Sequence, residues 1–242
     1  MRRRTLLSQE WHVVVDSSRR AKIPARKVLT GLERAVVVAN GRVDARFRPE
    51  AWVGPRDLVI CADGGLTLAR LLGLRVDVVV GDLDSAPPEL LSELDPEVEL
   101  ITFPREKDQT DTELALDLAA GRGAREIIVV GGAGGRLDHT WSNVTLLPRF
   151  VEQGLRVTLV DGQNVAFATR SRALLQGTPG QLVSLLPLSP EVSGITTTGL
   201  KYGLQRGRLA WGSSLGVSNE LLGERAEISV EAGWLLVVLT SD

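Results

Sequence analysis

Val78-Val79-Val80-Gly81-Asp82-Leu83-Asp84-Ser85 is the stretch whose reading decides the fold. Three β-branched residues run into a glycine, and two carboxylates follow at i and i+2, ahead of a small hydroxyl residue and the Pro87-Pro88 break. This is the pattern of a buried parallel strand whose carboxyl end carries a pair of acids. In an open α/β sheet, ligands bind in the crevice outside the carboxyl ends of the strands. Two acids this close repel each other unless a cation neutralises them, and an all-oxygen carboxylate site suits Mg²⁺ shared with substrate phosphates. The structural alternative has Asp82 capping a turn and Asp84 capping a helix that begins near Pro87. The octapeptide alone does not separate the two readings.

The flanking sequence repeats the pattern. Short buried strands are expected at Ala35–Ala39, Leu58–Ala62, Val76–Val80, Glu99–Phe103, Glu126–Val130 and Val157–Val160. Helices are expected at Leu66–Leu72, Pro88–Leu94, Thr110–Ala120 and His139–Gln153. Strands spaced by single helices imply parallel pairing through crossovers. After about Gly162 the helical period disappears, and short apolar runs at Val165–Ala168, Leu182–Leu186, Ile195–Thr198, Leu209–Trp211, Ile228–Val230 and Leu235–Leu239 alternate with Gly, Pro, Ser and Asn. The expected fold is therefore an N-terminal Rossmann-like parallel α/β sheet over residues 35–162, followed by a small C-terminal β-sandwich or roll over 163–242.

Residues 1–34 differ in kind. They hold nine Arg/Lys against three Asp/Glu, whereas the whole chain is close to neutral with a formal charge of -2. They read as a basic extension or a start placed too far upstream, with Trp11–Val15 able to add a strand. No apolar run approaches a membrane span, and the near-neutral charge gives no electrostatic reason to expect nucleic acid. The single cysteine, Cys61, lies in an apolar run, which excludes a disulfide within the chain and fits a reducing cytoplasm.

Polar and glycine-rich signatures mark the other strand ends. In Asp63-Gly64-Gly65 the glycines permit close backbone approach to a ligand, and Asp63 suits a ribose hydroxyl. In Lys107-Asp108-Gln109-Thr110-Asp111-Thr112-Glu113, Thr110 and Glu113 form a capping box. Asp111 is explained by the helix dipole, while Asp108, outside the helix, is left to complete a magnesium site with Asp82 and Asp84. In Gly131-Gly132-Ala133-Gly134-Gly135-Arg136-Leu137-Asp138-His139, four glycines lead into a helix start, with Arg136 placed to grip phosphate oxygens and Asp138 a candidate N-cap. Phosphate-handling loops on successive strand ends point jointly to a nucleoside triphosphate with Mg²⁺. In the β region, Gly199-Leu200-Lys201-Tyr202 and Gly216-Val217-Ser218-Asn219-Glu220 hold groups able to grip an aromatic cation, or to serve only as ordinary turns.

Taken in order, Cys61-Ala62-Asp63-Gly64-Gly65, Gly81-Asp82-Leu83-Asp84-Ser85, Asp108-Gln109-Thr110-Asp111, Gly134-Gly135-Arg136-Leu137-Asp138-His139, Val183-Ser184-Leu185-Leu186-Pro187, Gly199-Leu200-Lys201-Tyr202 and Ser218-Asn219-Glu220 resemble the thiamine pyrophosphokinase family from about Ala35 onward. The resemblance implies an ATP-binding α/β domain, a thiamine-binding β domain, a homodimer with sites between subunits, and transfer of pyrophosphate from ATP to thiamine with release of AMP. It implies Asp82, Asp84 and Asp108 as magnesium ligands, Arg136 on phosphate, and Asp111 and Asp138 lining the same cleft. Asp63, Gly64, Gly65, Ser85, Gln109, Thr110, Gly134 and Gly135 fall on the ATP side, and Tyr202, Ser218 and Asn219 on the thiamine side. Asp111 and Asp84 are both open as acceptors of the hydroxyl proton. The rival functions are a pyrophosphokinase acting on another hydroxymethyl heterocycle, such as a pterin, and a non-catalytic thiamine or nucleotide sensor.

Overall fold

The computed structural model describes residues 32–241, so the expected strand at Trp11–Val15 lies outside the described residues. The chain divides into two compact units that meet in sequence between Gln163 and Asn164.

The first unit contains, in order, β1 (Arg34–Val38), α1 (Pro49–Trp52), β2 (Leu58–Ala62), α2 (Gly65–Leu71), β3 (Val78–Gly81), α3 (Pro88–Ser92), β4 (Glu99–Thr102), α4 (Asp111–Gly121), β5 (Glu126–Val130), α5 (Leu137–Glu152) and β6 (Arg156–Val160). Its strands lie in the order β6-β5-β1-β2-β3-β4, every pair parallel. The β-branched runs account for this arrangement. Strands β2 and β3 are buried at every residue, and β1, β5 and β6 at all but the first, as central parallel strands must be when both faces are covered. The outermost strand, β4, instead alternates between half-buried and exposed residues. Helix α4 packs on β1, β2 and β3, α2 on β1 and β2, and α5 on β6.

The strand order has one functional consequence. The chain runs outward from β1 through β2 and β3 to β4, then returns to place β5 on the other side of β1. The two directions part between β1 and β5, and the loops leaving those strands diverge there into a crevice. Cys61 sits at the centre of the sheet, fully buried, and desolvation pushes its thiol up to about 12, so it is a core residue without thiolate chemistry.

The second unit contains β7 (Asn164–Thr169), β8 (Ala173–Gln176), β9 (Leu182–Pro187), β10 (Glu191–Thr198), β11 (Gly207–Ala210), β12 (Asn219–Glu220), β13 (Arg225–Ser229) and β14 (Leu235–Thr240). They form two antiparallel layers, β12-β9-β14-β7 and β11-β10-β13-β8. One apolar core lies between them. Phe167, Val183, Leu185, Leu235, Val237 and Leu239 come from the first layer, and Leu175, Val192, Ile195, Leu209 and Ile228 from the second. The alternating burial along β8 and β9 is the period-two signature of a sandwich. The parallel α/β unit and the β-sandwich agree with the expected fold class; α1, β8 and the two-residue β12 are additions to it.

Candidate active site

The crevice at the divergence of β1 and β5 is a cleft of about 310 Å³ lined by the Ala39–Gly41 turn, Asp63, Asp84, Ser85, the Thr110–Thr112 turn, the Gly131–Gly135 loop, Arg136 and the first turns of α5. Its floor is made by chains approaching closely. A Cβ on Gly41 would lie 2.2 Å from the Gly131 carbonyl oxygen and 2.5 Å from that of Ala133, so only glycine lets the two turns meet. Gly64 and Gly65 do similar work: their missing side chains make room for the Asn40 amide and the Val38 carbonyl. Gly64 has an ordinary helical φ of -58°, and the left-handed residue of that turn is Asp63, at φ 44°.

Asp63 is 6% exposed. One carboxylate oxygen each from Asp63, Asp82 and Asp111 lie within 4.8 Å of one another, the one such group of acids among the described residues. Three elements converge to make it. Asp63 leaves β2, its amide donating to the Val80 carbonyl at 2.8 Å, and its Oδ1 accepts from the Ser85 amide at 3.3 Å, tying two strand ends together. Asp82 follows β3. Asp111 opens α4, where Thr110 caps the helix by accepting from the Glu113 amide at 3.2 Å. Gly81, at φ 149°, sits beneath the three; a Cβ there would lie 2.9 Å from Asp63 Cβ and 3.0 Å from Asp111 Oδ1. Leu83 also adopts a left-handed φ of 62°, so the Asp82-Leu83-Asp84 turn stores backbone strain at the strand end.

This cluster differs from the trio expected from sequence. Asp82 belongs to it, but Asp84 and Asp108 do not, and Asp63 and Asp111 take their places. The capped first turn of α4 brings Asp111, not Asp108, to the end of β3, leaving Asp108 exposed and outside the cleft lining. Asp84 lines the cleft, accepting from Ser85 Oγ at 3.0 Å and pairing with Arg105 at 3.4 Å.

Lys107 fills the gap among the acids. Its ammonium is 3.3 Å from Asp82 Oδ2 and 3.1 Å from Asp111 Oδ1, with the side chain 14% exposed. Asp111 Oδ1 is buried and, among the described residues, makes no aligned hydrogen bond and has this ion pair as its partner. The electrostatics follow. Desolvation holds the Asp111 carboxyl above the usual range despite Lys107, and repulsion from Asp63 and Asp82 adds to the rise. Asp82 is held below it, chiefly by the Asp84 amide and then by Lys107. Burial works against the Lys107 ammonium, but Asp111 and Asp82 outweigh it and its pKa is raised.

The other expected ATP-side residues divide in two. Arg136 and Asp138 pair with each other at 2.6 Å on the exposed lip of the cleft, each stabilising the other's charged form. Gln109 points elsewhere, donating to Glu113 at 3.2 Å and Asp117 at 2.9 Å, acids also held by Arg149. Glu113 is thus only half of a capping box, because its carboxylate turns to Arg149 and Gln109. Sequence reading missed Asn143, which is 5% exposed and donates to the Gly132 carbonyl at 2.8 Å, fixing the glycine loop from α5. A polar residue at a position whose helical neighbours Val144, Leu147 and Phe150 are buried was the available signal.

In the β unit, Asn219 is 6% exposed, accepts from the Tyr202 amide at 2.9 Å and donates to the Tyr202 carbonyl at 2.8 Å. It is therefore a clamp, and it presents a 61% exposed Tyr202 ring with Lys201 Nζ 5.5 Å from its centre. Ser218, at φ 59°, has its amide hydrogen-bonded to Ser184 Oγ at 3.1 Å.

Two family models match the chain: "Thiamin pyrophosphokinase, catalytic domain" over residues 50–159, and "Thiamin pyrophosphokinase, vitamin B1 binding domain" over residues 172–235. A thiamine pyrophosphokinase of Bacillus subtilis is 32% identical over 209 residues, covering 85% of this chain and 98% of that protein. One from Oryza sativa is 29% identical over 227 residues, 82% of this chain and 84% of the relative. The crystal structure of thiamin pyrophosphokinase from Geobacillus thermodenitrificans superposes with a TM-score of 0.76 at 31% identity, over 86% of this chain and 98% of that one. The Bacillus subtilis crystal structure gives 0.78 at 27% identity, over 87% and 100%. With both halves matched in order and most of its length covered, the chain belongs to the thiamine pyrophosphokinase family.

Proposed function

We propose that this protein transfers the β,γ-pyrophosphate of ATP to the hydroxyl of thiamine, releasing AMP. The observation that carries the reading is that Asp63 and Asp111, two of the three clustered acids, line one cleft with the Gly131–Gly135 loop while Asp82 joins them in the cluster, in a chain of this family. Hard carboxylate oxygens, one of them buried without an aligned hydrogen bond, suit Mg²⁺. Asp63, Asp82 and Asp111 would hold the ion, with Asp84 a further oxygen donor at the cleft. When bound, it supplies charge neutralisation to phosphate oxygens.

The chain's own groups do the remainder. Backbone amides of the glycine loop and the start of α5 face the polyphosphate, and Asn143 keeps that loop in shape. Arg136, released from Asp138, pairs with phosphate oxygens in bidentate fashion. Tyr202 stacks on the cationic ring of thiamine from a loop that Asn219 immobilises. Asp84 or Asp111 takes the hydroxyl proton as that oxygen attacks the β-phosphorus and AMP leaves. Positioning and fixed charge account for most of the acceleration in such a site.

We take the working form to be a cytoplasmic homodimer with sites at the subunit interface. Trp211, Leu215 and Leu222 of the β unit are exposed at 55%, 71% and 65%, an apolar character suited to covering by a second copy. The test incubates the protein with ATP and Mg²⁺ and with thiamine, a hydroxymethyl pterin or neither, and separates the nucleotides by chromatography. AMP should form with thiamine alone. AMP with the pterin would point to a different acceptor, and no AMP with either would leave a sensor.

A further inference from the structure

The chain holds 24 arginines but only four lysines, Lys22, Lys27, Lys107 and Lys201. Among the described residues of the α/β unit every cation but one is an arginine, and the exception is the residue wedged between Asp82 and Asp111. That choice has a physical meaning. A guanidinium is a broad planar fork with its charge spread over three nitrogens, whereas an ammonium is a compact point charge, the side-chain group nearest in shape to a metal ion. Lys107 Nζ reaches oxygens of two of the three clustered acids, and desolvation alone makes that position costly for it. Three carboxylates this close would repel each other if nothing positive stood among them.

We propose that Lys107 is a built-in, exchangeable counter-cation of the Asp63, Asp82 and Asp111 cluster: its ammonium keeps the acids together in the metal-free protein, and a divalent ion displaces it. This rests on the reading that the cluster takes a divalent cation. The lysine and the ion compete for the same oxygens, and their coupling is reciprocal. Removing the ammonium must strengthen metal binding, and binding the metal must free the ammonium. The lysine thereby sets the affinity of the empty site low, so that the ion enters tightly only when substrate phosphates share it. It is a positioning residue, not a catalytic one.

Two measurements on the full chain, neither requiring turnover, test this. Mn²⁺ alone is titrated against the wild type, Lys107→Met and Lys107→Gln, reading free Mn²⁺ by electron paramagnetic resonance, with circular dichroism as the check on folding. Both variants should bind Mn²⁺ about tenfold more tightly than the wild type, within the usual range for coupled sites. In the wild type, acetic anhydride labelling read by mass spectrometry should find Lys107 protected in chelator and reactive in Mn²⁺, with Lys201 unchanged as internal standard. Equal or weaker Mn²⁺ binding in the variants, or unchanged Lys107 labelling, overturns the proposal while leaving the metal site standing. Binding of Mn²⁺ to none of the three proteins overturns both. Should the variants fail to fold in chelator yet fold in Mn²⁺, the ion has replaced the ammonium and the proposal is supported. Failure to fold in either leaves the labelling result to decide.

Discussion

At the scale of the residue, two carboxylates of one cluster are pushed in opposite directions, and this has a measurable consequence. Asp82, lowered in the fold chiefly by the Asp84 amide, contributes stability that is present above its unfolded pKa and is lost as the pH falls through the folded one. Asp111, raised by desolvation, contributes stability only below the ordinary carboxylate pKa and loses it as the pH rises through the raised value. In chelator at pH 7, Asp82→Asn should therefore lower the melting temperature and Asp111→Asn should raise it. Calorimetry decides, and shifts of the same sign would contradict the assignment. With Mg²⁺ present Asp111→Asn should be nearly inactive while Asp108→Asn, exposed and outside the cluster, should keep most of its activity. Asn219 makes a different case. Truncation to Ala strips both polar groups of the Tyr202 backbone of their partner, which should cost about 1–3 kcal/mol. It should also raise the KM for thiamine much more than that for ATP; an equal rise in both would mean general loss of the fold. The position of Asp82 was legible because a strand end announces itself, but that Asp111 and not Asp108 lies beside it depends on the direction of a helix turn. That Asn219 faces inward depends on a two-residue strand.

At the scale of the element, legibility followed burial. Runs such as Val36-Val37-Val38 and Ile127-Ile128-Val129 could be read directly because central parallel strands need apolar residues on both faces. What escaped was held by partners distant in sequence. The two residues of β12 exist through pairing with β9, Asn219 opposite Val183, and carry no period of their own. β8 is only four residues long, alternates, and is defined by β13. The Thr110 and Glu113 signal was correct about where α4 begins and incomplete about Glu113, since Arg149 on α5 draws that carboxylate away. The cap can be tested separately. Thr110→Ala should destabilise the unit by about 1 kcal/mol, a melting shift of about 2–4 °C, and Thr110→Ser should recover most of it. No difference between Ala and Ser would show that the Arg149 network, and not the cap, fixes the start of the helix.

At the scale of the whole molecule, the proposed chemistry is divided between the two units, the α/β unit carrying the acids and the glycine loop and the β unit the Tyr202 loop. Sequence showed the change of architecture near Gly162 because the helical period stops there, whereas a homodimer entered only as what the family resemblance implies, since no single run of residues spells out a subunit interface. If each site draws its phosphate half from one copy and its thiamine half from another, Asp82→Ala and Asn219→Ala homodimers should both be nearly inactive. A dimer of one of each has one site with both substitutions and one with neither. Co-expressed with two different tags and purified through both, the mixed dimer should recover about half the wild-type activity per dimer. Mixed dimers as inactive as their parents would place each site within one chain. The central claim, that a pyrophosphate unit passes intact from ATP to thiamine, is tested most directly by following label. With Mg²⁺ and thiamine, phosphorus-32 at the γ position of ATP should appear wholly in thiamine diphosphate, and label at the α position wholly in AMP. Label from the γ position in thiamine monophosphate or inorganic phosphate, with ADP as the nucleotide product, would contradict it.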